Sequence, residues 1–218
     1  MARVIKSMAV PKLWKYPFKP VRATWDIFKK VNPDNYFMEK KYDGWRAIVQ
    51  VADGGITLWT REKALIMMPD NLGKQLAALE MPEGTILDGE IWNMFKRGAW
   101  RSDRKAICAL TLWDAIRVDK RDLSDEPIEV RRQQLEGLLA GKNAPDIKTT
   151  EILSADESLA HQIDEEAHSA RDGAGARSGF IHGVVLKRRG SPRRDHAVSC
   201  KEHPDWLKIV FAGMQSGL

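Results

Sequence analysis

Short apolar runs separated by Asp-Gly pairs constrain the fold of this chain most strongly. Residues 36–41, 45–51 and 55–60 are rich in branched and aromatic side chains, with Asp43-Gly44 and then Asp53-Gly54-Gly55 between them. Since Asp-Gly between apolar runs is a strong local signal for a tight turn, the pattern predicts a meander of β-hairpins.

Later segments mix strands with helices. Further branched and aromatic runs predict strands at 85–92, 107–116, 180–187 and 205–211. Helices are predicted from Pro69-Asp70-Asn71 through "LGKQLAALE", from Pro127 through "IEVRRQQLEGLLAG", and over residues 155–170, after which "RDGAGARSG" predicts a flexible connection. The whole pattern predicts an α+β fold with antiparallel sheets flanked by helices.

Charge and cysteine usage narrow the class of protein. The 218 residues carry a net charge of +5, and basic clusters lie in residues 1–30, 96–105 and 187–194, interleaved with Trp14, Trp25, Trp92 and Trp100. One such cluster is ordinarily solvated surface, but the three together favour a polyanionic partner such as nucleic acid. Two cysteines imply no disulfide framework, and we find no leader-like or membrane-spanning run. We therefore expect a soluble, intracellular (cytoplasmic) protein without a membrane partner.

Common nucleotide-binding and metal-binding patterns are absent from the sequence. The glycines after residue 172 do not have the G-x-G-x-x-G spacing, and no G-x-x-x-x-G-K-[ST] loop occurs. The five histidines are too scattered for a zinc pattern, and "CKEH" at residues 200–203 is expected to be surface. A nucleotide site in this chain must therefore be built in another way.

The first Asp-Gly pair lies within Glu39–Arg46, which reads "EKKYDGWR". This stretch is either a charged surface hairpin or the setting of a reactive lysine. A lysine with a reference pKa of about 10.4 becomes a nucleophile at neutral pH if its pKa falls by ~2–3 units, a change worth roughly 3–4 kcal/mol. Gly44 allows close approach of a ligand to the backbone, and Asp43 is suited to orienting an amine or holding a cation.

Lys41–Arg46 also matches the K-x-D-G-x-R signature of the covalent nucleotidyltransferases, which include ATP-dependent DNA ligases, RNA ligases and mRNA capping enzymes. Thr60-Arg61, "LDGEI" at 87–91, "LWDAI" at 112–116, "GVVLK" at 183–187 and "WLKI" at 206–209 resemble the superfamily's remaining motifs in the same order. The chain is thus similar, over about residues 36–211, to the adenylation domain of ATP-dependent DNA ligases. The resemblance implies a nucleotidyltransferase (ATP-grasp-like) domain at 36–218, with residues 1–35 as the basic N-terminal segment of the domain. We expect no OB-fold domain in this fold.

Site residues follow from the resemblance, position by position. Lys41 would attack the α-phosphate of ATP to form a lysyl-AMP adduct, with Asp43 as its catalytic neighbour and Lys40 supporting the charge environment. The remaining nucleotide contacts would be Glu39 to the adenine amino group, Arg46 and Glu90 to the ribose, Arg61 to a phosphate, Trp113 to the purine face, and Lys187 and Lys208 to the α-phosphate. Glu90 and His182 would bind a divalent cation, Mg²⁺ or Mn²⁺.

Two positions depart from the superfamily pattern, which has a glutamate where this chain has His182 and a second lysine where it has Val210. Imidazole suits Mn²⁺ or a softer metal better than Mg²⁺. The chain also lacks the OB-fold domain that usually closes over the nucleotide, so a separate OB-fold domain or a clamp protein is a candidate partner. We therefore expect slow self-adenylation from ATP, with better retained sealing of a pre-adenylated nick.

Four functions remain open at this stage. The first is a minimal ATP-dependent DNA ligase that seals nicked duplex DNA, in replication or repair. The second is an RNA ligase or an enzyme acting on RNA-containing nicks, and the third is guanylyl transfer, which Glu39 disfavours. The last is a degenerate, non-catalytic nucleotide-binding or nucleic-acid-binding domain, which the departures at His182 and Val210 motivate.

Overall fold

A computed structural model describes residues 15–93, 104–172 and 181–212 of the chain. In these residues the strands are β1 Lys19–Arg22, β2 Tyr36–Tyr42, β3 Trp45–Ala52, β4 Gly55–Thr60, β5 Leu65–Ile66, β6 Ile86–Asn93, β7 Cys108–Val118, β8 Arg121–Asp122, β9 Ile147–Thr149, β10 Leu153–Ser154, β11 Ile181–Arg188 and β12 Glu202–Val210. The helices are α1 Trp25–Phe28, α2 Asp70–Ala78, α3 Ile128–Leu139 and α4 Glu157–Asp172, with a 3₁₀ turn at Pro33–Asn35.

The strands form two sheets. One has the order β1-β12-β11-β2-β10, with β1 parallel to β12 and the other neighbours antiparallel. The other has the order β5-β4-β3-β6-β7-β8, antiparallel throughout, with β9 lying parallel to β7. The α+β fold with antiparallel sheets, predicted from the sequence, is confirmed.

Helices cover the outer face of each sheet. Ala160, Ile163 and Ala167 of α4 pack on the five-stranded sheet, against a face that includes Met38 and Val184. The larger sheet buries its outer face, which includes Ala47, Val49, Leu87 and Leu112, under α2 and α3 through Leu72, Leu76 and Leu135. Between the sheets, Phe18, Phe37, Trp206 and the partly buried Trp113 form a separate apolar cluster. The inner faces of the two sheets therefore meet, and the polar residues described below lie on them.

The Asp43-Gly44 hairpin predicted from the sequence is wrong. β3 does pair with β4 across Asp53-Gly54, as expected, but β2 belongs to the five-stranded sheet and β3 to the other. Asp43-Gly44 is therefore the link by which the chain passes from one sheet to the other. A Cβ at Gly44 would lie 2.5 Å from the Ile91 carbonyl oxygen, so glycine is required here by the close approach of β6.

The predicted helices and longer strands agree with the structure to within a few residues. The 155–170 prediction corresponds to α4, while the connection predicted after it falls mainly on 173–180, outside the described residues. Within the N-terminal basic segment, Lys19–Arg22 adds a strand to the five-stranded sheet. None of the helices in the described ranges has the length and apolar character needed to cross a bilayer.

Candidate active site

Lys41 lies near the end of β2, on the inner face of the five-stranded sheet. Its Nζ is 2.9 Å from Nε2 of His182, which lies on the adjacent strand β11. The other ring nitrogen of His182 is 3.8 Å from a carboxylate oxygen of Asp43. The predicted nucleophile, its catalytic neighbour and one predicted metal ligand are thus brought together.

The surroundings of Lys41 favour its neutral form. Burial lowers the pKa of Lys41 below its ordinary value of 10.5, and the positive charges of Arg46 and Arg61 act in the same direction. Glu90 and Asp43 oppose this shift without reversing it. A larger share of neutral amine at a given pH is what a lysine nucleophile requires.

Glu90 comes from β6 of the other sheet. Its Oε1 accepts a hydrogen bond from the backbone N–H of Gly44 at 3.1 Å, so it is anchored at the link between the sheets. Burial raises the pKa of Glu90 to about 7, although Lys41, Arg46 and the Gly44 hydrogen bond each lower it. A carboxyl group in this state titrates near neutral pH and is sensitive to any cation that enters the site.

Arg46 lies beside Glu90 in the sheet register and is fixed by a forked ion pair. Its Nε and Nη2 both donate to the carboxylate of Asp88, with the Nε contact at 2.8 Å, and Nη1 donates to the carbonyl of Phe18. Burial alone would raise the pKa of Asp88, but Arg46 and Arg193 outweigh it and lower the value to about 2. Asp88 is therefore ionised throughout the physiological range.

Arg193 extends this pair into a buried ion cluster. Its side chain is fully buried and donates to Asp88 at 2.7 Å, to Asp114 at 3.0 Å and to Asp195 at 2.6 Å. Asp114 is held from its other side by Arg131 of α3, through contacts of 2.7 and 3.1 Å. The cluster joins β3, β6, β7, α3 and the segment after β11 into one hydrogen-bonded unit.

Glu39 lies two residues before Lys41 on the same face of β2 and is almost completely buried. Lys187 donates to its Oε2 at 2.6 Å, and Nη1 of Arg132 lies 3.5 Å from its Oε1. Burial lowers the pKa of Lys187, although Glu39 and Asp114 oppose the shift. The predicted adenine contact and the predicted phosphate contact are thus paired with each other.

Trp113 lies between Arg46, a predicted ribose contact, and Lys187, a predicted phosphate contact. The Arg46 guanidinium and the Lys187 ammonium are 5.7 and 5.9 Å from its ring centroid. Its indole Nε1 is buried and has no hydrogen-bond partner among the described residues. Lys208 follows on β12, where burial and the positive charge of Lys41 lower its pKa.

Two predicted contacts lie away from this cluster. Lys40 alternates with Lys41 and so points to the opposite face of β2, where its ammonium is 3.6 Å from Glu151. Arg61 is exposed at 43% of its side chain and pairs with its neighbour Glu62 at the rim. Both remain predictions for nucleotide binding, and the structure does not place Lys40 beside Lys41.

The interpretation of the third basic cluster as a nucleic-acid surface is wrong for two of its members. Lys187 and Arg193 are buried in ion pairs, while Arg188 and Arg194 are exposed. Two of the tryptophans also pack within the protein: Trp25 stacks on His161, and Trp92 stacks on Tyr42. Of the other two basic clusters, at 1–30 and 96–105, the parts at 1–14 and 96–103 lie outside the described residues.

Sequence reasoning assigned no role to five residues of the site: Asp88, Asp114, Arg131, Arg132 and Asp195. It assigned Arg193 to a nucleic-acid surface and missed its place in the buried ion cluster. Asp88 and Asp114 lie inside the quoted stretches "LDGEI" and "LWDAI", so an acidic residue within a buried apolar strand was an available signal. For the arginines no local signal distinguishes a buried guanidinium from a solvated one.

The described residues contain no group of three or more His, Cys, Asp or Glu side chains arranged to hold a metal ion. Glu90 and Asp43 are nevertheless carboxylates close to the Lys41 amine, and His182 contributes an imidazole. Mg²⁺ is commonly held by one or two carboxylates together with substrate phosphates. The residues therefore fit a cation that arrives with a phosphate ligand, and they do not fit an all-protein metal site.

Comparison with known proteins agrees with this geometry. The family model for the ATP dependent DNA ligase domain matches residues 18–209. The chain belongs to this family. The match includes both sheets and every site residue described above.

Two curated relatives carry related names. The chain is 24% identical over 196 residues to the SPbeta prophage-derived DNA ligase-like protein LigB of Bacillus subtilis, covering 84% of this chain and 64% of that protein. It is 28% identical over 182 residues to the multifunctional non-homologous end joining protein LigD of Pseudomonas aeruginosa, covering 78% of this chain and 19% of that protein. The chain thus spans less than two thirds of each relative.

Solved structures show the same fold at low sequence identity. A mycobacterial DNA ligase D complexed with ATP and MES superposes with a TM-score of 0.64 at 20% identity, covering 90% of this chain and 60% of that one. A Lig E DNA ligase, described as binding DNA with a minimal scaffold, gives 0.59 at 15% identity, covering 89% and 68%. The two-sheet architecture is therefore that of DNA ligase catalytic domains.

Proposed function

We propose that this chain is the adenylation domain of an ATP-dependent DNA ligase of minimal type and forms a lysyl-AMP adduct on Lys41. The position of the Lys41 amine carries the proposal. It is hydrogen-bonded to His182, its pKa is lowered by burial, and Glu90 and Arg46 lie within electrostatic reach on the opposite sheet. An amine so placed between two sheets is suited to attack a phosphate bound between them.

In the first step, the lone pair of Lys41 Nζ attacks the α-phosphorus of ATP. A phosphorus–nitrogen bond forms, the bond to the β-phosphate oxygen breaks, pyrophosphate leaves, and the amine gives up its proton. Lys187 and Lys208 are suited to neutralising charge that develops on the α-phosphate. For Lys187 this requires its ammonium to move from Glu39 to the phosphate.

The nucleotide would be held by groups from both sheets. Glu39 would accept from the adenine amino group, Trp113 would stack on the purine, and Arg46 and Glu90 would contact the ribose. Mg²⁺ or Mn²⁺ would reach Glu90 and His182 together with the phosphates and would neutralise their charge.

In the later steps, the AMP moves from Lys41 to the 5′-phosphate at a nick, and attack by the 3′-hydroxyl then seals the strand and releases AMP. Nicked duplex DNA is the proposed partner, with an RNA-containing nick as the alternative substrate. The exposed Arg61, at the rim beside the site, is suited to the 5′-phosphate. A separate OB-fold domain or clamp protein would complete the closure over the nucleotide.

The direct test uses α-labelled ATP with Mg²⁺ or Mn²⁺, followed by denaturing electrophoresis. We expect an acid-labile covalent adduct on the wild-type chain and none on Lys41→Ala. Lys142→Ala is the control, because Lys142 has no proposed role in the site and pairs with Glu80, so its loss should leave the adduct. An adduct that persists in Lys41→Ala refutes the assignment of the nucleophile.

Substrate class is tested separately, with nicked duplexes that carry deoxyribose or ribose on either side of the nick. A pre-adenylated nick is included, because the proposal predicts faster sealing of it than of a nick supplied with ATP. Preference for ribose would move the chain to the RNA ligase branch, and labelling by GTP in preference to ATP would indicate guanylyl transfer.

A nucleotide-binding domain without turnover is the second candidate, and the placement of the two departures favours it. Gly183, next to His182, is paired with Val210, and the backbone N–H of Phe211 donates to the His182 carbonyl. Both departures therefore lie close to Lys41. Thermal stabilisation by ATP without an adduct would support this function, and His182→Glu combined with Val210→Lys should then restore labelling.

A further inference from the structure

Helix α3 sends two consecutive arginines into the protein interior. Arg131 is fully buried and Arg132 nearly so, which is unusual for adjacent residues of a helix that also has an exposed face. Arg131 reaches Asp114, next to Trp113, whereas Arg132 reaches Glu39. The helix thus contacts both sides of the proposed adenine site through different side chains.

Arg132 is fixed by contacts that do not involve the nucleotide. Its Nη1 donates to Oγ1 of Thr150 at 2.7 Å, its Nη2 donates to the Thr150 carbonyl, and its Nε donates to Glu136 at 2.7 Å. Thr150 is itself held by a backbone hydrogen bond to Leu112 on β7. A guanidinium held at three points has little freedom to follow a ligand, so it offers Glu39 a stationary partner.

Lys187 is the other cation that contacts Glu39, and its side chain is more flexible than that of Arg132. Lysine is a flexible point charge, and in the proposed reaction this ammonium moves to the α-phosphate. When it leaves, Arg132 is the cation that remains beside Glu39 among the described residues. The carboxylate then depends on Arg132 for its orientation while the nucleotide is bound.

From this arrangement we infer that Arg132 is a positioning residue for base selection: it holds Glu39 so that the carboxylate accepts from the 6-amino group of adenine and repels a 6-oxo purine. The inference rests on the proposed function, and specifically on Glu39 as the adenine contact. Arg132 touches neither the base nor the reacting phosphate in this account. Its effect is exerted through the orientation and desolvation of Glu39.

Arg132 also lines an open pocket, so truncation of its side chain is expected to affect Glu39. The pocket has a volume of about 180 Å³, and its lining includes Phe37, Arg132, Glu136 and Ile152. Arg132 lies both on this pocket and against Glu39, so a shorter side chain would open a path for water to the carboxylate. A hydrated and mobile carboxylate discriminates poorly between a hydrogen-bond donor and an acceptor.

The test compares ATP with ITP, which carries oxygen in place of the 6-amino group. The measured quantity is kcat/KM for self-nucleotidylation with ATP divided by kcat/KM with ITP. For Arg132→Gln we expect this ratio to fall by about tenfold or more. The fall should come mainly from a raised KM for ATP, since the groups at the phosphate are unchanged. Arg132→Lys should fall between wild type and Arg132→Gln, because it keeps the charge without the forked contact to Thr150.

Arg131→Gln and Arg131→Lys are the matched controls. They remove an equally buried guanidinium from the same helix and should lower thermal stability comparably. Arg131 contacts Asp114, next to Trp113, and stacking of a purine on Trp113 does not distinguish one purine from another. The ATP to ITP ratio should therefore stay at the wild-type value. If Arg132→Gln does not accumulate as folded protein, Arg132→Lys against Arg131→Lys carries the same comparison.

The inference is overturned if the Arg132 variants keep the wild-type ATP to ITP ratio while their stability falls as in the Arg131 variants. Arg132 would then be a structural residue. Failure of the proposed function has a different signature, namely no adduct on the wild-type chain with either nucleotide. In that case the ratio of dissociation constants for ATP and ITP, from calorimetry, replaces the kinetic ratio. A preference for ATP that Arg132→Gln loses would still support the inference, and no change would refute it.

Discussion

Replacing Arg193 with methionine removes the centre of the buried ion cluster. Three carboxylates share this one guanidinium. Asp88 keeps Arg46 and Asp114 keeps Arg131, but within the described part of the chain Asp195 retains only the hydrogen bond from the backbone N–H of Phe18, at 3.2 Å. Removing one partner from a buried ion pair typically costs about 3–5 kcal/mol because the other charge remains buried.

We therefore expect Arg193→Met to lower the free energy of unfolding by about 3–5 kcal/mol. Equilibrium denaturation in urea at neutral pH measures this, with the midpoint and slope compared with wild type. Arg194→Met is the control, since Arg194 is 55% exposed and lies 3.5 Å from Asp205. Its effect should stay within about 0.5 kcal/mol, as for other exposed positions.

The double variant Arg193→Met with Asp195→Asn separates lost packing from stranded charge. The introduced asparagine would still accept from the Phe18 N–H but would carry no negative charge, so the double variant should recover about 1–2 kcal/mol relative to Arg193→Met alone. If Arg193→Met cost no more than Arg194→Met, or if the double variant lost the full sum of both single effects, the account of the cluster would be refuted.

Residues closer to the nucleophile give further measurable outcomes. The folded state resists ionisation of Glu90, whose pKa is raised from 4.5 to about 7, so the free energy of unfolding of wild type falls as the pH rises through 7. At pH 8–9 Glu90→Gln should therefore be more stable than wild type by about 3 kcal/mol, with no difference below pH 4.5. An equal difference in stability at both pH values would contradict this. Gly44→Ala should lower the free energy of unfolding by about 1–3 kcal/mol and slow adduct formation, because the added Cβ would meet the Ile91 carbonyl. Gly137→Ala, whose Cβ would enter open space, should leave the stability unchanged or raise it. In single-turnover labelling, the rate should rise with pH to a midpoint below 10.5, because burial lowers the pKa of Lys41, and a midpoint at or above 10.5 would argue against a buried nucleophile.

Local sequence signals were sufficient for the elements and gave a prediction for the nucleophile. The Asp53-Gly54 turn, the longer strands and the helix after Pro127 follow from spacing and turn chemistry, and the structure has them within a few residues. Lys41 is predicted from the K-x-D-G-x-R match and the order of the later motifs, and its role stays a prediction. Such features are local, so a single sequence contains them.

Sheet membership and buried charge were not predictable in the same way. Asp43-Gly44 has the same local signal as Asp53-Gly54, but only contact with β6, nearly fifty positions away, decides that the chain changes sheets. Arg193 sits in a basic run that suggested a phosphate contact, and only the folded chain brings Asp88 and Asp114 to it. Pairing between distant residues leaves little trace in one sequence.

The short link at Asp43-Gly44 has a consequence for how ligands are detected. The Lys41 amine belongs to one sheet, Arg46 and Glu90 belong to the other, and the crossing between the sheets lies two residues from Lys41. In the proposed function a nucleotide touches both sheets, so its binding would oppose their separation. Binding would add RT ln(1 + [L]/Kd) to the free energy of unfolding and thereby raise the melting temperature. Occupancy can thus be followed by heat denaturation even in a chain whose lysine has been removed.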